Sequence, residues 1–86
     1  MYEEDIRKLL TTKKLIIGGD EVLKNARKGG LSKVYYASNA DKLTIKDLTK
    51  YADLSGFELL DTKLSNDDLG TTCKKPFSIS IIGVLK

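Results

Sequence analysis

The sequence predicts an α/β fold: a three-layer α/β/α sandwich around a mixed sheet of roughly four strands. Two observations carry this. Segments of strand character at residues 14–18, 33–38, 57–60 and 77–84 alternate with segments of helical periodicity along the whole chain, and a chain that alternates so lays helices on the faces of a sheet. The chain has 86 residues, 41% hydrophobic and 31% charged, which is the composition of a globular chain and leaves room for one domain, residues 1–86, with a thin stability margin. Strand order is not legible at this level.

The first helix is predicted over residues 3–11, where Ile6, Leu9 and Leu10 share one side and Arg7 and Lys8 the other. Leu15, Ile16 and Ile17 form a compact aliphatic run ended by Gly18 and Gly19, the pattern of a strand buried on both faces. Gly19 and Asp20 open the next helix, with Val22, Leu23 and Ala26 inward, Lys24, Arg27 and Lys28 in water, and Gly29-Gly30 as the stop. A second strand follows at residues 33–38, then a turn at residues 38–41. The longest helix is placed at about residues 44–55, packing Ile45, Leu48, Ala52 and Leu54 and stopping at Gly56. A third strand takes residues 57–60. Ser65 or Asn66 caps a short helix reaching Cys73, with Asp67 and Asp68 suiting its dipole, and the last strand runs from Phe77 to Val84.

The balance of 15 Lys and Arg against 12 Asp and Glu leaves a net charge of +3, too mild for bulk charge to specify a nucleic-acid partner, so placement has to carry that argument. The apolar runs are far shorter than the ~20 residues a membrane span needs. The acidic start Met1-Tyr-Glu-Glu-Asp5 lacks signal-peptide character, so an intracellular location is expected. Cys73 is the only cysteine and there is no histidine. That excludes an internal disulfide and a cysteine-rich zinc site and removes the usual general base, so no metal or cofactor is expected.

Three places carry candidate chemistry. Gly18-Gly-Asp-Glu21 lies at a strand-to-helix junction, where the backbone can approach a ligand and free amides attract phosphate, or where the chain merely turns tightly. Lys24, one turn on, either reaches a phosphate or belongs to a solvated face, and Glu21 can accept a hydrogen bond from a base amino group. Asn39, after the second strand, is expected at the same sheet edge as Gly18, either offering its amide to a ligand or forming a local turn. The loop Lys74-Lys-Pro-Phe77 has two cations and an aromatic but no acid. Phe77 either stacks on a base or starts a core strand. Cys73 has no activating base and reads as packing rather than as a nucleophile. Tyr35 and Tyr36, adjacent in a strand, must point to opposite faces, and neither they nor Tyr51 is assigned a function.

These residues resemble the kink-turn RNA-binding superfamily that includes the archaeal and eukaryotic ribosomal proteins L7Ae and L30e. The likeness to the L30e type runs through Tyr36-Ala-Ser-Asn39, Tyr51-Ala-Asp-Leu-Ser55 and Leu69-Gly-Thr-Thr-Cys-Lys-Lys-Pro-Phe77 before an aliphatic strand, and covers the chain from Leu15 to Leu85. The resemblance implies a non-catalytic protein, monomeric when free, that grips a sharply bent RNA with sheared G·A pairs. Gly18 and Gly19 would lie on the RNA backbone, Asp20 and Glu21 would face the G·A pairs, Lys24 would meet phosphate and Asn39 would bond in the same groove. Phe77 would pack on a flipped-out nucleotide beside Lys74 and Lys75, which raises that reading of Phe77 above the core one.

The implied role is structural, in the large ribosomal subunit, bound to ribosomal RNA among other ribosomal proteins in the cytoplasm. The alternatives are a guide-RNA particle or RNase P subunit, or a protein-interaction module that has lost RNA. Three positions depart from the family pattern: Asp20 in place of Asn or Lys, Ala40-Asp41 in place of a proline after the Ser-Asn pair, and Lys74 in place of Gly. The sequence ends at Lys86 without the acidic tail usual after this strand, so a shortened ribosomal protein or a divergent paralogue is expected.

Overall fold

The computed structural model describes residues 3–12 and 14–86. The elements are α1 (Glu3–Leu9), β1 (Leu15–Ile17), α2 (Gly19–Arg27), β2 (Leu31–Tyr36), α3 (Lys42–Ser55), β3 (Glu58–Asp61), α4 (Asn66–Thr72) and β4 (Ile81–Leu85). No helix among the described residues is long and apolar enough to cross a membrane.

The four strands form one sheet in the order β1-β4-β2-β3. β4 is antiparallel to both β1 and β2, while β2 and β3 are parallel, so β1, β2 and β3 all run the same way. Their carboxyl ends therefore share one sheet edge with the amino end of β4. Alternation along the strands sends side chains to two cores. Tyr35 and Ile82 face one side with Ile6 of α1 and Leu69 of α4. Val34 and Ile81 face the other with Val22 and Ala26 of α2 and Leu48 of α3. The result is the predicted α/β/α sandwich with a mixed sheet, and Tyr35 and Tyr36 do lie on opposite faces. Helix α2 approaches the sheet closely at Gly83, where a Cβ would come within 3.0 Å of Val22 and 3.1 Å of Ile16 and Leu31.

Several boundaries and one burial assignment differ from the sequence reading. α1 ends at Leu9 rather than at residue 11, because the Thr11 and Thr12 hydroxyls donate to the carbonyls of Lys8 (2.7 Å) and Leu9 (2.8 Å) and close the last turn. β1 has both faces covered but is an edge strand, so its three residues are only half-buried. β2 begins at Leu31, two residues early, with an irregularity in its pairing to β4 between Leu31 and Lys33. α3 begins at Lys42 because Asp41 caps it, accepting from Leu43 N (3.4 Å) and Thr44 Oγ1 (3.1 Å). It ends on Gly56 at φ 81°, a left-handed cap that glycine takes without steric cost.

Leu54, expected inside, is 82% exposed. It lies three turns from the equally outward Leu43, on the side of α3 away from Leu48. β3 runs one residue later than expected, with Phe57 buried just before it. Ser65, rather than Asn66, caps α4, and Cys73 is the residue that ends it. The largest difference is β4, which starts at Ile81 rather than Phe77. Residues 77–80 precede the ladder because Ile79 N donates to Asn66 O (3.0 Å) at the start of α4, binding this segment to a helix.

Candidate nucleic-acid interface

The shared sheet edge is also where α2, α3 and α4 begin, since each follows a strand that ends there. Helix starts leave backbone N–H groups without partners inside the helix. At α3 the Asp41 carboxylate fills that need, and at α4 the Ser65 hydroxyl accepts from Asp68 N at 3.2 Å. At α2 the capping residue is Gly18, with φ 109°, and no side chain caps the amides. Gly18 N is itself tied to Ile81 O at 3.0 Å and Gly18 O takes Val22 N at 3.1 Å, so the turn is held in place by β4 and by its own helix. Of the three helix starts at this edge, α2 is the one left open to an external acceptor.

Gly18 and Gly19 form one wall of an open groove of about 570 Å³, whose other walls are Asp41 and Thr44 at the start of α3 and the segment from Lys75 through Phe77 to Ile81. A Cβ on Gly19 would meet Ile81 Cδ1 at 3.8 Å and Thr44 Cγ2 at 3.9 Å. Ordinary contact there means that Gly19 is not sterically required.

Across the groove Phe77 is 57% exposed. An aromatic ring so placed is free to stack, and the core reading of Phe77 is wrong. A second hollow lies on the far side of the same loop, lined by Asp67, Thr71, Lys75, Pro76, Phe77 and Ser78. Phe77 and Lys75 thus stand on a ridge between two concavities.

The loop that carries this ridge is fixed to α4. Lys74 N donates to Thr71 O and Lys75 N to Gly70 O, both at 3.0 Å. A Cβ on Gly70 would run into the carbonyl oxygen of Phe77 and come within 3.2 Å of Ser78 Cα, so only glycine lets the loop descend onto the helix. Lys74 has φ 58°, in the left-handed region. The backbone there takes the conformation that a glycine would favour, although the residue is lysine.

Asn39 is exposed at the same edge, as expected, but for a different reason from a continuous parallel sheet: β4 lies between β1 and β2 and runs against both. Its amide is already engaged. Asn39 Oδ1 accepts from Asn66 N at 2.9 Å and Asn39 Nδ2 donates to Asn66 Oδ1 at 3.1 Å, clasping the turn after β2 to the start of α4. Asp20, Glu21 and Lys24 are exposed along the first turns of α2, beside the groove rather than lining it. Arg27, further along α2, donates through Nε to the Tyr51 hydroxyl on α3 at 3.2 Å.

Of the residues singled out from sequence, Gly18, Gly19, Lys75 and Phe77 line one groove. Asp41, Thr44, Ser78 and Ser80 line it too and were missed. Asp41 was legible as a helix cap, because Asp just before an amphipathic run is an N-cap signal. Cys73 is buried, and burial raises its pKa, outweighing the opposite pull of the Lys75 charge. A protonated, enclosed thiol is a packing group.

The fold is one already seen in solved structures. It is shared with a protein of unknown function from Bacillus halodurans (TM-score 0.86, 20% identity, 99% of this chain and 84% of that one). It is shared as well with a 15.5kD RNA binding protein of Giardia lamblia (TM-score 0.81, 19% identity, 98% and 70%). The sequence is more specific than the fold. The model of the Ribosomal protein L7Ae/L30e/S12e/Gadd45 family matches residues 1–86, and the chain belongs to that family. Relatives include the large ribosomal subunit proteins eL30 of Sulfurisphaera tokodaii (33% identical over 98% of this chain and 79% of that protein) and Saccharolobus solfataricus (34%, over 98% and 78%). That of Methanocaldococcus jannaschii is 32% identical over 93% of this chain and 73% of its own length.

Proposed function

We propose that this chain is a non-catalytic protein of the large ribosomal subunit that binds ribosomal RNA by gripping a kink-turn, acting as a single domain over residues 1–86 and as a monomer when free. The observation that carries the reading is the groove between the uncapped start of α2 and the Phe77–Lys75 ridge. The eL30 relatives support the ribosomal setting, and with it a cytoplasmic location. The buried, protonated Cys73 supports a binding role over a catalytic one.

In this reading Gly18 and Gly19 let the RNA backbone lie against the turn, and the free amides at the start of α2 donate to it. Asp20 and Glu21 carry acceptors only, so they suit the exposed amino groups of sheared G·A pairs and not phosphate. Lys24 on the same helix and Lys74 and Lys75 on the loop before β4 take phosphates. Phe77 stacks on an extruded nucleotide. Asn39 acts first through its clasp on Asn66, which sets the height of the α4 end of the groove, and one N–H of its amide remains for RNA.

The test is a titration of a fluorescent kink-turn RNA and a duplex of equal length with wild type and Lys24→Ala at two salt concentrations. The reading expects preference for the kinked RNA and a salt slope lower by about 1 in Lys24→Ala. Equal, weak binding to both RNAs would overturn it and favour a protein-interaction module.

A further inference from the structure

We propose that the outer face of the α2/α3 layer, through Lys42, Lys46 and Lys50 of α3, is a second RNA contact that holds the phosphates of the stem leading away from the kink. The inference rests on the reading of the groove as an RNA site and extends it to a surface outside that groove.

The three lysines follow at intervals of four on α3, so they form one stripe about 12 Å long on the helix surface. All three are exposed. Among the described residues none of them is within 4.0 Å of a carboxylate, and the ion pair there is Lys63–Asp61, on β3 and the loop after it. Asp47 and Asp53 share the outer surface of α3 but close no bridge with them. Like charges spaced by four on a helix repel one another, and an anion lying along the stripe would reverse that repulsion. A duplex offers such an anion, since it carries several phosphates over this length.

The stripe is also placed to meet RNA. Lys42 directly follows Asp41, and Asp41 and Thr44 form a wall of the groove. The stripe therefore begins at the groove's rim and runs down the outside of the molecule. On the neighbouring helix Lys24 and Lys28 repeat the same spacing from the same edge. The two outer layers differ in sign. α2 and α3 with their caps carry Lys24, Arg27, Lys28, Lys42, Lys46 and Lys50 against Asp20, Glu21, Asp41, Asp47 and Asp53. α1 and α4 carry only Arg7 and Lys8 against Glu3, Glu4, Asp5, Asp67 and Asp68. A stem leaving the groove is drawn over α2/α3 and repelled from α1/α4.

The experiment compares two RNAs with the same kink, one with stems trimmed to the kink and one with long flanking stems. The proteins are wild type, the triple variant Lys42→Ala/Lys46→Ala/Lys50→Ala and the control Arg7→Ala/Lys8→Ala. Alanine at exposed helix positions preserves the fold. For the long-stem RNA the triple variant should lose affinity, with a salt slope lower by about 1 for each lysine that reaches phosphate, while the trimmed RNA and the control variant match wild type. If the triple variant matches wild type on the long-stem RNA while wild type still prefers the kink, the second contact is overturned and the groove reading stands. The outward Leu43 and Leu54 would then mark this face as a protein contact. If wild type shows no preference for the kink, both fail together.

Discussion

Gly70 on α4 and Phe77 seven residues later are locked together: the glycine's missing side chain is the space that the Phe77 carbonyl occupies. The exposed ring is therefore placed by a helix residue that never touches the groove. Replacing Gly70 by Ala sets two effects against each other. Helix propensity favours Ala by about 1 kcal/mol, whereas the backbone collision costs about 1–3 kcal/mol. Gly70→Ala should lower the urea midpoint and weaken kink-turn RNA binding, because the ridge lifts. A more stable variant with unchanged affinity would show that the loop is not seated on the helix.

The Asn39–Asn66 clasp should be measurable as a coupling. Each single alanine variant is expected to cost about 0.5–1.5 kcal/mol in chemical denaturation. The double variant should cost less than the sum by about 0.5 kcal/mol or more, since the pair is lost only once. Additive losses would mean that the two amides act separately.

Lys74 at φ 58° holds a left-handed conformation without being glycine. Lys74→Gly should raise stability by about 0.5–1 kcal/mol, the relief of steric strain outweighing the extra freedom of the unfolded chain. The same variant removes one charge from the ridge, so its RNA binding should become less salt-dependent as its melting temperature rises. A fall in stability would indicate that the lysine stem packs usefully here.

Burial of the Cys73 thiol has a pH signature. Its pKa in the fold lies above the ordinary value, so in the window between the two the unfolded chain loses its proton while the folded chain keeps it. Stability attributable to this group is thus intact below the ordinary thiol value and falls as pH rises through the window. Cys73→Ala, although less stable overall from the lost packing, should show a flatter decline there. In the native wild type, alkylation should be slow until the chain unfolds.

Much of this architecture was legible in the residues. Gly19 and Asp20 marked the start of α2, Gly56 the end of α3, and Ser65 or Asn66 the start of α4, because caps are local chemistry. What the chain could not declare was pairing between distant segments. The aliphatic run at Leu15–Ile17 reads as a strand buried on both faces, yet it is only half-buried because it lies at the sheet's edge, and strand order depends on which partners are available and not on the run itself. Phe77, Ser78 and Ile79 read as strand, yet Asn66 and Gly70 draw that segment onto α4. Leu54 has the hydrophobicity of a core residue but the wrong helical phase. At the groove the glycine turn and the aromatic loop were visible as motifs, whereas Asp41 and Thr44 joined them only through the fold.

The central claim is that the ridge bearing Phe77 binds RNA, and the most direct measurement is the affinity of Phe77→Ala for a kink-turn RNA, read beside its stability. An exposed side chain contributes little to folding, so stability should stay within about 0.5 kcal/mol of wild type. The account predicts a loss of about 1–3 kcal/mol in RNA binding from the missing stack. Unchanged RNA affinity in a fully folded Phe77→Ala would contradict it.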